Sequence, residues 1–105
     1  MTTFVLLSKV SQAGVRDMKS LATLDRELDE QIKAQNLKVK RLASYALLGA
    51  YDFLHIFEAP DARTATKVAL IANAFGVTTT QTLTAIPFDE FREIAEEMPK
   101  MPKRG

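Results

Sequence analysis

A chain of 105 residues, 47% apolar and 26% charged, has room for one ordinary globular domain; its lack of cysteine excludes disulfides, thiolate catalysis and sulfur-ligated metal. A formal net charge of +1 supplies no field that would gather nucleic acid or an anionic membrane surface. The opening Met1-Thr2-Thr3-Phe4 lacks a basic leader, and the apolar run after it is too short to span a bilayer, so a cytoplasmic protein is expected.

Phe4 to Val10 is a short run of strand formers, apolar on both sides and ended by the polar Ser11-Gln12-Ala13-Gly14. A strand that needs burial on both faces belongs in the middle of a sheet. From Val15 to about Gln35 the period becomes helical, with Met18, Leu21, Leu24, Leu28 and Ile32 in one stripe and charged residues around the remainder. Asn36 suits the C-terminal stop. Lys38 to Leu48 then alternates, with Val39, Arg41, Ala43, Tyr45 and Leu47 on one face and Lys40, Leu42, Ser44, Ala46 and Leu48 on the other. Gly49-Ala50 makes a tight connection to a strand running from Tyr51 to Glu58, the pattern of an antiparallel hairpin.

Ala59-Pro60 ends that strand, and Asp61 is an N-cap for the next helix. Ala62, Ala65, Val68, Ala69, Ala72 and Phe75 form its buried stripe, with Gly76 placed for the C-cap. Val77 to Ile86 is β-branched and half polar, as an edge strand is, and Pro87 stops it. Phe88 to Met98 follows as a short helix with Phe88, Phe91, Ile94, Ala95 and Met98 on one side. The domain is expected to span residues 1–98, with 99–105 a basic, flexible tail.

The order β-α-β-β-α-β is that of an α+β, ferredoxin-like fold: a four-stranded antiparallel sheet with two helices on one face, plus a short C-terminal helix. The other face then needs cover. Alternation puts Tyr51, Phe53, His55 and Phe57 on one side of the strand after the hairpin, and Asp52, Leu54, Ile56 and Glu58 on the other. The aromatic side is expected to meet a second copy, because soluble monomers rarely leave such a patch in water. The partner expected is the chain itself, as a homodimer or higher homo-oligomer joined through the sheet face.

Several stretches resemble the GYD-domain family: Leu48-Gly49-Ala50-Tyr51-Asp52-Phe53, then Glu58-Ala59-Pro60-Asp61, then Gly76-Val77 with Thr80-Gln81-Thr82-Leu83-Thr84-Ala85. Phe88, Glu90 and Phe91 match that family's terminal helix, and Phe4 to Val10 with Gly14 extend the resemblance over nearly the whole chain. The resemblance implies a ferredoxin-like α+β fold related to the dimeric α+β barrels. It implies no catalytic residue, because no activity is established for the family.

Tyr51, Asp52 and His55 are the candidates for a ligand site. A bland reading stands beside each. An aspartate after a turn accepts backbone N–H bonds, and a tyrosine packs its ring while its hydroxyl finds a partner. The functional alternative is a polar tip at the mouth of a barrel cavity. His55 has the chemistry for proton transfer or metal ligation, but the chain offers no second histidine and no cysteine to complete a metal site. A structural or interfacial histidine is the favoured reading, and no metal or cofactor is expected. Arg41, on the face assigned to Tyr45, reads as a surface arginine, and Ser8 lacks the context of a nucleophile elbow. Three charges in the tail, Lys100, Lys103 and Arg104, are too few to hold nucleic acid.

The function expected is that of a small homo-oligomeric α+β barrel protein, structural or binding a small molecule. The alternative is a cofactor-independent enzyme, monooxygenase- or isomerase-like, acting on a small apolar substrate inside the barrel. A closed pocket lined by Tyr51 or His55 together with other polar groups is what favours the alternative, and a dry, packed interface is what counts against it.

Overall fold

The structure is a computed structural model that describes residues 1–11, 18–76 and 78–100, with the backbone alone at 18–21. Strand β1 (Thr2–Val10) runs through the middle of the sheet. It pairs antiparallel with β3 (Phe53–Ala59) on one side and with β4 (Thr78–Ala85) on the other. Strand β2 (Lys40–Ala46) lies outside β3, so the order is β2-β3-β1-β4, with β2 and β4 as the edges. Helices α1 (Met18–Ala34) and α2 (Ala62–Ala74) are the two crossovers of the βαββαβ chain, and α3 (Phe88–Glu97) follows β4. This is the expected ferredoxin-like α+β fold, with β1 central and β4 at an edge.

Local chemistry sets the helix ends. Asn36 takes a left-handed φ of 56° after α1, the Leu37 amide donates to Ile32 O at 3.1 Å and the Asn36 amide to Lys33 O at 3.0 Å. That pair of bonds is a Schellman stop, and Leu37 packs on the core as the motif favours. At the start of α2 the Asp61 carboxylate accepts from the Thr64 amide at 2.8 Å. Gly76, with φ 78°, turns the chain out of α2 in a conformation that side chains with a Cβ resist.

Burial alternates along β1: Phe4, Leu6, Ser8 and Val10 are buried beneath the helices. Around Phe4 and Leu6 the core gathers Leu28 and Ile32 of α1, Phe57 and Ala59 of β3, and Ala65, Val68, Ile71 and Ala72 of α2. Alanines at 65 and 72 let α2 lie close to the sheet. The rings of Phe4 and Phe57 stack with centroids 5.7 Å apart.

Register corrects the expected assignment of faces. Phe4 pairs with Phe57, Leu6 with His55 and Ser8 with Phe53, and paired residues share a side of the sheet. Phe53, His55 and Phe57 therefore point under the helices, and the side left open carries Leu54 and Ile56. Alternation separates the two sets but does not say which looks inward. The larger aromatic set wins the inner side because it fills the space above Phe4 and Leu6.

Two further expectations change around β2. A bulge between Arg41 and Ala43 inserts Leu42 and shifts the alternation by one. Arg41, Ser44 and Ala46 then pair with the inward Phe57, His55 and Phe53, while Ala43 and Tyr45 pair with the outward Ile56 and Leu54. Arg41 and Tyr45 lie on opposite sides. The connection to β3 is also longer than a Gly49-Ala50 turn: it spans residues 47–52 and closes with Leu47 N donating to Asp52 O at 2.7 Å. The expected start of the first helix at Val15, and residues 101–105 of the expected tail, lie outside the described residues.

α3 forms where its apolar spacing places it, yet none of its residues is buried. The radius of gyration, 17.0 Å, exceeds the roughly 13 Å of a compact chain this long.

Candidate functional site

Under the helices, β2, β3 and α1 bring five polar side chains together. Asp25 and Asp29 are one turn apart on α1, and Arg41 rises from β2 to meet both. The Arg41 guanidinium donates to the two Asp25 oxygens at 2.9 and 3.1 Å and reaches Asp29 at 3.4 Å. That forked geometry is the one in which arginine binds a carboxylate best. His55, next to Arg41 in this layer, has Nδ1 2.8 Å from Ser44 Oγ and Nε2 3.9 Å from Asp25 Oδ1.

Burial pushes the His55 imidazole below its usual pKa, and Arg41 pushes the same way; Asp25 and Asp29 oppose both without reversing them. His55 is therefore a neutral imidazole at pH 7. Its Nδ1 accepts a hydrogen bond from the Ser44 hydroxyl in one tautomer and donates one to it in the other. Serine, histidine and aspartate in one cluster have the composition of a hydrolase triad but not its geometry. The aspartate is beyond hydrogen-bond range, and its oxygens are held by Arg41.

Asp25, Ser44 and His55 of this cluster line a cavity of about 470 Å³ between α1, α2 and the sheet, while Asp29 and Arg41 line a neighbouring one that shares His55. Leu28, Phe53 and Phe75 supply apolar walls, and Ser8, Ser44 and His55 a polar patch. Among the three residues the sequence singles out, His55 alone lines this cavity. Asp52 is tied elsewhere: its carboxylate accepts from the Val10 amide at 2.7 Å, and its own amide donates to Ser8 O at 2.8 Å. Tyr51 donates its hydroxyl proton to the Gln81 side chain, and Gln81, paired with Leu7, belongs to the open side. The structure thus separates the candidates into one cavity residue and two that fasten the β2–β3 connection.

Asp25 and Ser44 escape the sequence reading. The available signal was Asp25 and Asp29 at helical spacing beside the apolar Leu24 and Leu28, which marks carboxylates at the rim of a core stripe. Ser44 was hidden by the bulge. Among the described residues no group of three or more metal-ligating side chains forms, and no helix is long and apolar enough to cross a membrane.

The open side has a different character. Val5 and Leu7 of β1, Leu54 and Ile56 of β3, Tyr45 of β2 and Leu83 of β4 share it, as their pairings require. Tyr45 is 59% exposed and Leu83 41%.

This architecture defines a small α+β domain of ferredoxin-like type, with a helix-covered cavity on one side of its sheet and an apolar surface on the other. The GYD domain model matches residues 4–95, and the chain belongs to the GYD-domain family. It is 33% identical over 87 residues to the glutamine synthetase and cystathionine beta-lyase binding protein of Thermus thermophilus, a match covering 83% of this chain and 90% of that one. Among solved structures it is similar to MtbAldR, with a TM-score of 0.55 and 16% identity over 81% of this chain. The match takes in 51% of the MtbAldR chain, so this chain spans about half that length, and the likeness is one of fold.

Proposed function

We propose that the chain is a cytoplasmic, homo-oligomeric protein-binding module, which joins copies through the open side of its sheet and presents the joined surface to other proteins. The observation that carries this reading is the apolar open side itself: Val5, Leu7, Tyr45, Leu54, Ile56 and Leu83 with no element over them among the described residues. Burying each large apolar side chain is worth about 1.5–3 kcal/mol. Tyr45 and Leu83 are exposed and the other four half-buried, so each offers part of that gain, and the two copies together exceed the low end of the roughly 4–15 kcal/mol that association costs. The Thermus relative, described as binding two enzymes, supports a role in holding proteins. Native mass spectrometry at micromolar concentration tests the assembly: wild type is expected as a homo-oligomer and Ile56→Glu as a folded monomer. A monomeric wild type would overturn the reading. Glutamine synthetase and cystathionine beta-lyase from the same organism are the first partners to titrate.

A second reading is favoured by the cavity. At about 470 Å³ it lies within the range of small-molecule sites, roughly 300–1,000 Å³, and its walls are mostly apolar. A small apolar ligand would sit against Phe53 and Phe75 with one hydrogen bond to His55 or Ser44. In a cofactor-independent enzyme His55 would be the proton acceptor. A retained mass in the native spectrum of protein as purified, lost in His55→Ala, supports this reading; clean protein that takes up no apolar probe such as 1-anilinonaphthalene-8-sulfonate speaks against it.

A further inference from the structure

Helix α3 is amphipathic and bare. Phe88, Phe91, Ile94 and Met98 fall along one stripe and are 69%, 52%, 41% and 59% exposed. The rest of the helix is acidic: Asp89, Glu90, Glu93, Glu96 and Glu97 against the single base Arg92. A ten-residue helix is marginal in water by itself, so one with two exposed phenylalanines needs a surface to lie on.

We infer that α3 is an exchanged arm, which docks its apolar stripe on the β2 edge of a second copy and sets its acids against Lys38 and Lys40 there. The inference rests on the self-association proposed above. Three observations point to this occupant.

The first is topology. β4, which leads into α3, and β2 are opposite edges of the sheet. When two open faces meet about a two-fold axis along the strands, left and right exchange, and β4 of one copy lies over β2 of the other. The level also matches: Ala85 pairs with Thr3, Thr3 with Glu58, and Glu58 with Lys40. The end of β4 therefore stands level with Lys40 of the partner subunit. From there α3, about 15 Å long at 1.5 Å per residue, matches the run of strand from Lys40 to Tyr45.

The second is complementarity. The β2 edge exposes Leu42 (45%) and Tyr45 (59%), and Lys38 and Lys40 at its start are exposed with no ion pair among the described residues. Asp89 and Glu90, in the first turn of α3, are the acids that arrive at that level. The third is area. Four strands about 4.8 Å apart and seven to nine residues long present a face of about 500 Å². A standard stable interface takes about 800 Å² per partner. Phe88 and Phe91 alone add on the order of 250 Å² of exposed ring.

The chain has no cysteine, so single introduced cysteines report contact directly. Glu90→Cys and Lys40→Cys proteins, mixed and oxidised, are expected to give a disulfide-linked heterodimer on a non-reducing gel. Crosslinking of Glu90→Cys to itself would mean that α3 pairs with α3, and an intrachain bond in the dilute double variant would mean that it folds onto its own sheet; either overturns the inference. Phe91→Glu removes no buried contact, so the variant folds, and its dimer is expected to be weaker by about thirtyfold or more in sedimentation equilibrium. An unchanged dissociation constant for Phe91→Glu, beside an Ile56→Glu that dissociates, overturns the arm and leaves the sheet-face dimer standing. A monomeric wild type overturns both.

Discussion

The imidazole of His55 lies 2.8 Å from the hydroxyl of Ser44, across the seam between β3 and β2 and beneath α1. The charged groups that face it are Arg41 on β2 and Asp25 and Asp29 on α1. Its pKa is lowered, first by burial and then by Arg41, so the native state binds fewer protons than the unfolded chain. Stability is then full above about pH 6.5, the unfolded value, and falls as pH drops toward the folded one. Urea denaturation between about pH 7 and 5 is expected to show wild type losing stability more steeply than His55→Gln. Equal slopes for the two proteins would assign the decline to the carboxylates instead.

Phe57 carries the inner side of β3. It is 3% exposed and stacked on Phe4 at the centre of the core. Phe57→Ala is expected to cost about 3–5 kcal/mol, the loss of a buried ring plus the cavity left behind. That is a large share of the roughly 5–15 kcal/mol that holds a domain together. Thermal melting of Phe57→Ala beside Leu83→Ala, on the open side, separates the faces: the first is expected to fall far more than the second. Equal losses would contradict the register of β3 with β1.

The fold was legible because its signals are local. Asp61 before Ala62, Asn36 after the stripe ending at Ile32, and the change of period at Lys38 each reflect backbone chemistry that a few residues decide. The faces were not legible, because alternation is symmetric. Phe53 and Leu54 are both apolar, and only the pairing of Ser8 with Phe53 says which lies beneath the helices. The site suffered doubly. Leu42 bulges from β2, which throws Ser44 to the side of His55 and parts Arg41 from Tyr45. No pattern within β2 marks that bulge, since Leu42 has the apolar character of a regular strand residue. Asp25 joins the site from a helix far away in sequence, and such proximity exists only after packing.

Asn36 tests the stop of α1. Its φ of 56° is one that L-residues enter at a cost of about 1–2 kcal/mol, lessened in asparagine by its short polar side chain. Asn36→Ala is expected to lower stability by about 1 kcal/mol, and Asn36→Gly to leave it equal or higher. Guanidinium melts of the three proteins give the order directly. An alanine variant as stable as wild type would mean that α1 ends without the left-handed residue.

Asp52 fastens the connection between β2 and β3 to the end of β1. Its carboxylate accepts from the Val10 amide at 2.7 Å, its amide donates to Ser8 O at 2.8 Å, and its carbonyl accepts from Leu47 N at 2.7 Å. Tyr51 beside it reaches Gln81, so two adjacent residues tie the connection to β1 and to β4. Removing the carboxylate leaves the Val10 amide without its acceptor, and a part-buried donor so orphaned costs about 1–3 kcal/mol. Asp52→Ala is therefore expected to lose about that much, while Asp52→Asn keeps an acceptor oxygen and loses less. Hydrogen exchange at the Val10 amide provides the local reading: it is expected to quicken in Asp52→Ala more than exchange at Leu6, in the middle of the same strand. If Val10 and Leu6 quicken together, the loss is global, and Asp52 acts through overall stability and not as a staple at the end of β1.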